Sequence, residues 1–168
     1  MNAILTAWNQ ADEATARDAM VACCGSKRWA MEMVKMRPIG TVQELSEAAD
    51  RVWSTMREAD WLEAFACHPR IGEQRTGTEN RSAAWSKEEQ SRAEGAPERL
   101  LAELAEGNRL YEQRFGFTYI VCATGKSADE MLAILKRRLA STRENELREA
   151  AEQQRQIMQI RLGKWLVE

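Results

Sequence analysis

The chain has 168 residues, of which 44% are hydrophobic and 30% are charged. This length and composition are typical of one globular domain with its own core rather than of two. Its 24 Lys and Arg residues nearly balance 26 Asp and Glu residues, for a formal net charge of -2. This balance gives no general electrostatic reason for binding to nucleic acid or to an anionic membrane, so we expect neither as a partner.

No segment has the pattern of a membrane span or of a targeting signal. The longest apolar run, residues 19–24, is too short to cross a bilayer. The N-terminus has no basic region followed by an apolar core, and the C-terminus carries no peroxisomal address. We therefore expect a cytoplasmic protein with four reduced cysteines. One histidine and no CxxC pair also predict that there is no metal site.

The first third of the chain carries helical patterns with recognisable ends. An alanine-rich segment runs from about Ile4 to residue 24, and Ser26 then caps the next helix. Thr41 and Glu44 have the spacing of a capping box at the start of an amphipathic helix. The tryptophans and methionines of these helices recur every three or four residues. This spacing predicts core packing rather than a cofactor site.

The rest of the chain is also predicted to be helical, with two interruptions. Residues 70–84 have the composition of a long polar loop, a feature that is often functional in a small domain. Helical character resumes at Ser86, with a break near residues 95–97. Residues 117–123 have strong β propensity but no partner strand, which predicts a buried connector. The last helix spans about residues 142–166. We predict an all-α fold, a single-domain helical bundle over residues 1–168 with one short extended connector near 117–123.

The only histidine, His68, lies where a short helix over residues 60–67 ends. Pro69 disfavours the helical conformation at His68, so the imidazole should project from the helix end. A histidine in this position is a candidate acid–base group, because its pKa lies near neutrality. It could instead be a helix-end residue that interacts with terminal carbonyls, which this stretch alone favours. Cys67 is adjacent, but we interpret it as a packing residue rather than as a nucleophile.

Residues 86–90, Ser-Lys-Glu-Glu-Gln, form the second notable stretch. Ser86 followed by Glu89 is the spacing of a capping box, which would satisfy backbone donors and nothing more. The same residues, with Gln90 and the free amides of a helix N-terminus, could instead bind an anionic or amide-rich ligand. Both interpretations can hold together.

The last helix carries an arginine within an apolar stripe. The stripe consists of residues at intervals of three and four, namely Leu147, Ala151, Gln154, Met158, Arg161 and Trp165. Arg161 could extend outward with its stem on apolar surface. Its guanidinium could instead face inward and bind a carboxylate or a carbonyl.

Gly125-Lys126-Ser127 matches only the end of a phosphate-binding loop. The glycine that such a loop requires upstream is replaced by Ile120, so we exclude a nucleotide site. Ser127 is better interpreted as the N-cap of the following helix.

Taken together, these motifs resemble the 2-oxo-4-hydroxy-4-carboxy-5-ureidoimidazoline (OHCU) decarboxylases over nearly the whole chain. The resemblance rests on the order and spacing of five stretches: Cys67-His68-Pro69-Arg70-Ile71-Gly72-Glu73, Ser86 with Glu89-Gln90, Phe115-Gly116-Phe117 leading into Ile120-Val121-Cys122-Ala123, Gly125-Lys126-Ser127, and Ile157 with Arg161-Leu162. It implies an all-helical, cofactor-free homodimeric enzyme of urate degradation that forms (S)-allantoin.

The resemblance also implies roles for individual residues. His68 would be the acid–base group and Glu89 its assistant, because Glu89 rather than Glu88 keeps the Ser-x-x-Glu-Gln spacing. The residues implied in substrate binding are Pro69, Ser86, Gln90, Ile120, Val121, Cys122, Ala123, Thr124 and Arg161. Two alternatives from other classes are a non-catalytic helical ligand-binding module and a metal-dependent hydrolase, the second disfavoured by the single histidine.

Overall fold

The computed structural model describes residues 1–73 and 80–168, and these residues form nine α-helices and no strand. The helices are α1 (Ala3–Gln10), α2 (Glu13–Cys23), α3 (Lys27–Lys35), α4 (Val42–Ser54), α5 (Glu58–Ala66), α6 (Arg81–Glu89), α7 (Glu98–Phe115), α8 (Ala128–Leu139) and α9 (Arg143–Trp165). A short 3-10 helix, Ser91–Ala93, follows α6. The all-α prediction is confirmed. In the two described ranges, no helix combines the length and apolar character needed to cross a membrane.

Most predicted helix starts are confirmed by their capping bonds. Ser26 Oγ accepts the Trp29 N–H at 3.2 Å. Thr41 and Glu44 form the predicted capping box at α4. Ser127 caps α8. These starts were predictable because an N-cap side chain satisfies donors that the helix itself leaves unpaired.

Two predicted boundaries were wrong. The alanine-rich first segment is two helices, because Asp12 accepts the Thr15 N–H at 2.9 Å and starts α2 anew. The polar loop predicted over residues 70–84 ends earlier, because Asn80 accepts the Ala83 N–H at 2.8 Å and caps α6. Residues 74–79, the middle of that predicted loop, lie outside the described residues.

The chain divides into two compact units, Met1–Ala64 with Arg155–Glu168 and Phe65–Gln154. We call them the terminal unit and the central unit. The prediction of a single domain stays a prediction. In the terminal unit α2 packs on α1 and α3, and α3 packs on α4. The Trp29 indole is fully buried and donates to Ala49 O at 3.1 Å. The Trp8 and Trp165 rings meet edge to face.

The central unit is built around aromatic side chains and the packing of α7 on α8. The Tyr111 ring lies 4.6 Å from that of Phe115, 5.7 Å from Phe117 and 5.5 Å from Tyr119, measured between centroids. Residues 118–123 are neither helix nor strand and are mostly buried, so the predicted connector is confirmed. It lies between α7 and α8 in the chain, against this aromatic cluster.

Candidate active site

His68 lies just beyond the end of α5, as predicted. Its backbone N–H donates to Phe65 O at 3.2 Å. Its Nε2 lies 2.7 Å from Oε1 of Gln154, a fully buried residue of α9, while His68 itself is only partly buried. The imidazole therefore has an ordered amide partner in the central unit, which neither interpretation of the sequence anticipated.

The residues after His68 are tied to α7 and to the end of α6. Arg70 donates to both Glu112 carboxylate oxygens, at 2.7 and 3.0 Å, and these bonds raise the pKa of the Arg70 guanidinium. Asn108 donates to Ile71 O at 3.1 Å. The Gly72 N–H donates to Gln90 Oε1 at 2.9 Å. Gln90 thus joins the histidine stretch to the helix that carries Ser86 and Glu89.

Gly72 occupies a conformation that suits glycine. Its φ is 87°, a left-handed value that side chains disfavour. This backbone turn follows the Arg70 and Ile71 anchors and presents the Gly72 amide to Gln90. The positive φ therefore explains why a glycine suits this position of the sequence motif.

The prediction that Ser86 begins a helix was wrong. Asn80 caps α6, so Ser86 and Glu89 lie in its second half and Gln90 is its C-cap residue. The proposed anion site at a helix N-terminus is lost with that correction, because the C-terminal end of a helix carries the opposite partial charge. Ser86 and Glu89 are nevertheless buried, with 6% and 8% of their surface exposed, whereas Glu88 is exposed. Glu89 is thus the buried one of the two neighbouring carboxylates, and its role in the reaction stays a prediction.

Three side chains already bond to the connector backbone, namely those of Lys126, of Arg138 in α8 and of Gln153 in α9. The Cys122 N–H donates to Gln153 Oε1 at 2.8 Å, and Cys122 O accepts from Lys126 Nζ at 2.6 Å. Ile120 O accepts from the Arg138 guanidinium. In the described part of the chain, the Val121 and Ala123 N–H groups donate to no protein acceptor. The N–H groups of Val121 and Ala123 are therefore open to a ligand, whereas the N–H group of Cys122 is not.

A buried cluster of Arg138, Glu146 and Tyr111 contacts the connector through the bond from Arg138 to Ile120 O. Arg138 Nε donates to Glu146 Oε1 at 2.7 Å, and the Tyr111 hydroxyl donates to the same oxygen at 2.6 Å. The Arg138 guanidinium also lies 5.0 Å from the centroid of the Tyr119 ring. Burial raises the pKa of both Tyr111 and Tyr119, because a phenolate would lose its hydration.

Arg161 and Cys67 complete the set of predicted residues. Arg161 is buried, with 3% of its surface exposed, so the interpretation of an outward-extended side chain was wrong. It belongs to the terminal unit, whereas His68 and Glu89 belong to the central unit. Cys67 is exposed, so its interpretation as a packing residue was also wrong. Pro69 is partly buried and Thr124 is exposed.

Among residues 1–73 and 80–168, no group of three or more His, Cys, Asp and Glu side chains could hold a metal ion.

A sequence model of one protein family, described as OHCU decarboxylase, matches residues 9–163. The match spans most of the chain and includes every stretch on which the resemblance rested. The chain belongs to the OHCU decarboxylase family.

Curated relatives place this family in uric acid degradation. The chain is 38% identical over 149 residues to the uric acid degradation bifunctional protein TTL of Arabidopsis thaliana, a match that covers 88% of this chain and 46% of that protein. It is 24% identical over 156 residues to the 2-oxo-4-hydroxy-4-carboxy-5-ureidoimidazoline decarboxylase of Haloferax volcanii, covering 92% of this chain and 91% of that one. The chain thus spans about half of the plant protein and nearly all of the archaeal one.

Solved structures give the same fold. An OHCU decarboxylase crystallised in the presence of (S)-allantoin matches with a TM-score of 0.78 and 36% identity, over 90% of this chain and 99% of that chain. An (S)-allantoin synthase matches with a TM-score of 0.72 over 96% of this chain and 53% of that chain. At 19% identity, the second match concerns the fold alone.

Sequence reasoning missed three residues that hold the candidate site of this OHCU decarboxylase family member. Gln154 contacts His68, Gln153 binds the connector, and Arg138 binds the connector from α8. Gln154 was detectable, since it lies on the apolar stripe that singled out Arg161. Gln153 and Arg138 do not lie on that stripe. A polar residue on a helix is ordinarily solvent-exposed, so there was no reason in the sequence to place them at the site.

Proposed function

We propose that this chain decarboxylates OHCU to (S)-allantoin without a cofactor, as a step in urate breakdown. Family membership supports the reaction class, and the 36% identical structure was obtained with (S)-allantoin. The observation that carries the proposal is the hydrogen bond from Gly72 to Gln90. It joins the stretch that contains the only histidine to the helix that carries a buried carboxylate, Glu89.

The substrate's own structure supplies the electron sink. In OHCU the carbon that bears the hydroxyl and the carboxylate adjoins an imine carbon that bears the ureido group. When the bond to the carboxylate breaks, its electron pair forms a carbon–carbon double bond, and the imine pair moves to the ring nitrogen, which takes up a proton. The ureido-bearing carbon then accepts a proton while the hydroxyl loses one and becomes a carbonyl. The net change is loss of carbon dioxide and gain of one proton.

The protein must therefore orient the substrate and deliver a proton to one face. We assign that delivery to His68, which sets the configuration of (S)-allantoin. Glu89 assists by holding His68 or the substrate hydroxyl, and its charge disfavours the substrate carboxylate in the ground state.

The remaining residues bind the substrate. Ser86, the Nε2 amide of Gln90 and the N–H groups of Val121 and Ala123 match the polar edges of the ring and of the ureido group. Ile120, Cys122 and Thr124 complete the connector wall, with Pro69 beside His68. Arg161 binds a carbonyl or the carboxylate through its planar guanidinium.

The test uses OHCU generated in place from urate by upstream enzymes, with optically active allantoin followed by circular dichroism. We expect the wild-type chain to accelerate formation of the (S) product. His68→Asn should lower kcat by roughly 10²–10⁴-fold, the usual contribution of a positioned proton donor, and the product should lose its optical purity.

The matched control is Cys67→Ser, which changes the exposed neighbour of His68. It should keep the wild-type rate and product configuration. A wild-type rate in His68→Asn would refute the assignment of the proton donor. Loss of activity in Cys67→Ser would favour a thiol in the reaction instead. A wild-type chain that folds but never accelerates the reaction would support a non-catalytic binding module.

We further propose a cytoplasmic homodimer. The family resemblance supports the dimer, and the four free cysteines suit a reducing compartment. Sedimentation velocity at micromolar concentration tests the dimer, and a single species with the mass of one chain would contradict it.

A further inference from the structure

Gln154 contacts His68, but the proposed function assigns no role to this glutamine. The Gln154 side chain is fully buried in the central unit. Its Oε1 lies 2.7 Å from His68 Nε2, a short distance for a neutral hydrogen bond. Among the residues that the structure describes, its Nε2 finds no hydrogen-bond partner. A buried amide held with one half unpaired is costly, so its contact with the imidazole requires an explanation.

An amide oxygen can only accept a hydrogen bond. His68 Nε2 must therefore carry a proton wherever it contacts Gln154 Oε1, in the neutral imidazole as well as in the imidazolium. The amide oxygen is also far too weak a base to take that proton near neutral pH, so the proton on Nε2 stays in place. The proton that a reaction can move must then be the one on Nδ1.

We propose that Gln154 is a positioning residue that holds the proton of His68 on Nε2, so that Nδ1 is the nitrogen that exchanges a proton with the substrate. The proposal rests on the proposed function for the role of Nδ1. The protonation of Nε2 rests on its contact with the amide oxygen of Gln154 and does not depend on the proposed function.

The same contact also stabilises the state of His68 after proton transfer. When the imidazolium gives up its Nδ1 proton, the neutral tautomer that remains is the one whose Nε2–H already donates to Gln154. The acceptor is therefore in place before and after the transfer, and no rearrangement of the ring is needed. Because Gln154 lies within α9, the acceptor is carried by a 23-residue helix rather than by a loop.

The opposite orientation of the amide makes the opposite prediction. With its NH₂ group towards His68, the glutamine would donate to an unprotonated Nε2, and the proton would lie on Nδ1. The two orientations have nearly the same shape but fix different tautomers. A measurement of the tautomer therefore decides between them.

The chain is well suited to that measurement because it contains one histidine. Nitrogen-15 NMR of uniformly labelled protein gives one imidazole, whose protonated and unprotonated nitrogens have widely separated shifts. In the neutral state we expect a protonated Nε2, an unprotonated Nδ1 and a slowly exchanging Nε2–H proton. In Gln154→Leu that proton should exchange too fast to be observed. A proton on Nδ1 in the wild type, or an unchanged Nε2–H signal in the variant, would overturn the proposal.

Kinetics supply the second readout. Gln154→Leu should lower kcat about tenfold, less than loss of the proton donor itself, while KM stays within about twofold because the contact is to His68 rather than to substrate. The optical purity of the product should fall as well. The control is Gln113→Leu, the same change at an exposed position on α7, which should leave kcat unaltered.

The two readouts separate the two proposals. A wild-type chain that forms no allantoin would defeat the proposed function, while the NMR spectrum would still decide the role of Gln154. An active wild type with an unimpaired Gln154→Leu would defeat the positioning role alone. If Gln154→Leu does not fold, Gln154→Met keeps the length of the side chain and replaces the amide by a weak acceptor.

Discussion

Two arginine–glutamate pairs in the central unit have the same short contact but opposite surroundings. Arg138 and Glu146 approach to 2.7 Å with 2% and 3% of their side-chain surface exposed. Arg70 and Glu112 also approach to 2.7 Å, with 49% and 26% exposed. The first pair holds the connector and the second holds the stretch that follows His68. Each therefore supports one wall of the proposed site.

The difference between the pairs lies in what surrounds them. Glu146 accepts from Tyr111 as well as from Arg138, and Arg138 donates to Ile120 O. A buried charge whose partners are removed has no water to replace them, so every member of that cluster depends on the others. The exposed charges of Arg70 and Glu112 can return to water at little cost. Burial, more than contact distance, decides how much each pair matters to stability.

The largest effect is expected from breaking the buried pair. Glu146→Gln leaves the Arg138 charge buried without a counter-charge, and we expect it to lower the free energy of unfolding by about 3–5 kcal/mol. Urea unfolding measures the loss. Glu144→Gln, on the same helix in an exposed pair with Arg148, is the control and should change stability by less than about 1 kcal/mol. Equal losses of unfolding free energy in the two variants would show that burial does not decide how much an ion pair contributes to stability.

Alkaline pH tests the same cluster without a mutation. Tyr111 and Tyr119, the only two tyrosines, both have a raised pKa in the folded chain. Above about pH 10 the unfolded chain loses tyrosine protons that the folded chain keeps, so the tyrosine contribution to stability falls as pH rises. The fall should be about 2 kcal/mol between pH 10 and pH 11 for the two together.

Phenolate absorbance provides the measurement. It should appear only as the chain unfolds, in one cooperative step that coincides with loss of helical circular dichroism. Tyr111→Phe and Tyr119→Phe should each halve the amplitude. A phenolate signal that rises near pH 10 while the helices persist would show that these hydroxyls are open to solvent.

The smallest effect is expected at the exposed pair. Arg70→Met should change the free energy of unfolding by at most about 1 kcal/mol, because half of the arginine side chain is already in water. Urea unfolding at low and at high salt checks this, since the wild-type contribution should itself shrink with added salt. A loss above about 2 kcal/mol would show that this pair behaves like the buried one.

Local sequence patterns predicted much of the fold. Caps such as Ser26, Thr41 and Ser127 were predictable because they bond to amides only three residues away. Asn80 and Asp12 are equally local caps, but neither of them was predicted from the sequence. At Ser86 the capping-box spacing occurred inside a helix that had already begun at Arg81. Spacing alone cannot distinguish a helix start from a helix interior.

Motif order alone identified the family and singled out His68, Glu89 and Arg161, because these residue types in this order are specific to it. The sequence could not determine which partners those side chains meet. That Gln154 contacts His68, that Gln90 contacts Gly72 and that Arg138 supports Ile120 depends on segments 18 to 86 positions apart in the chain. Such pairings follow from the packing of whole helices, since burial forces each polar group to find a partner wherever the fold brings one.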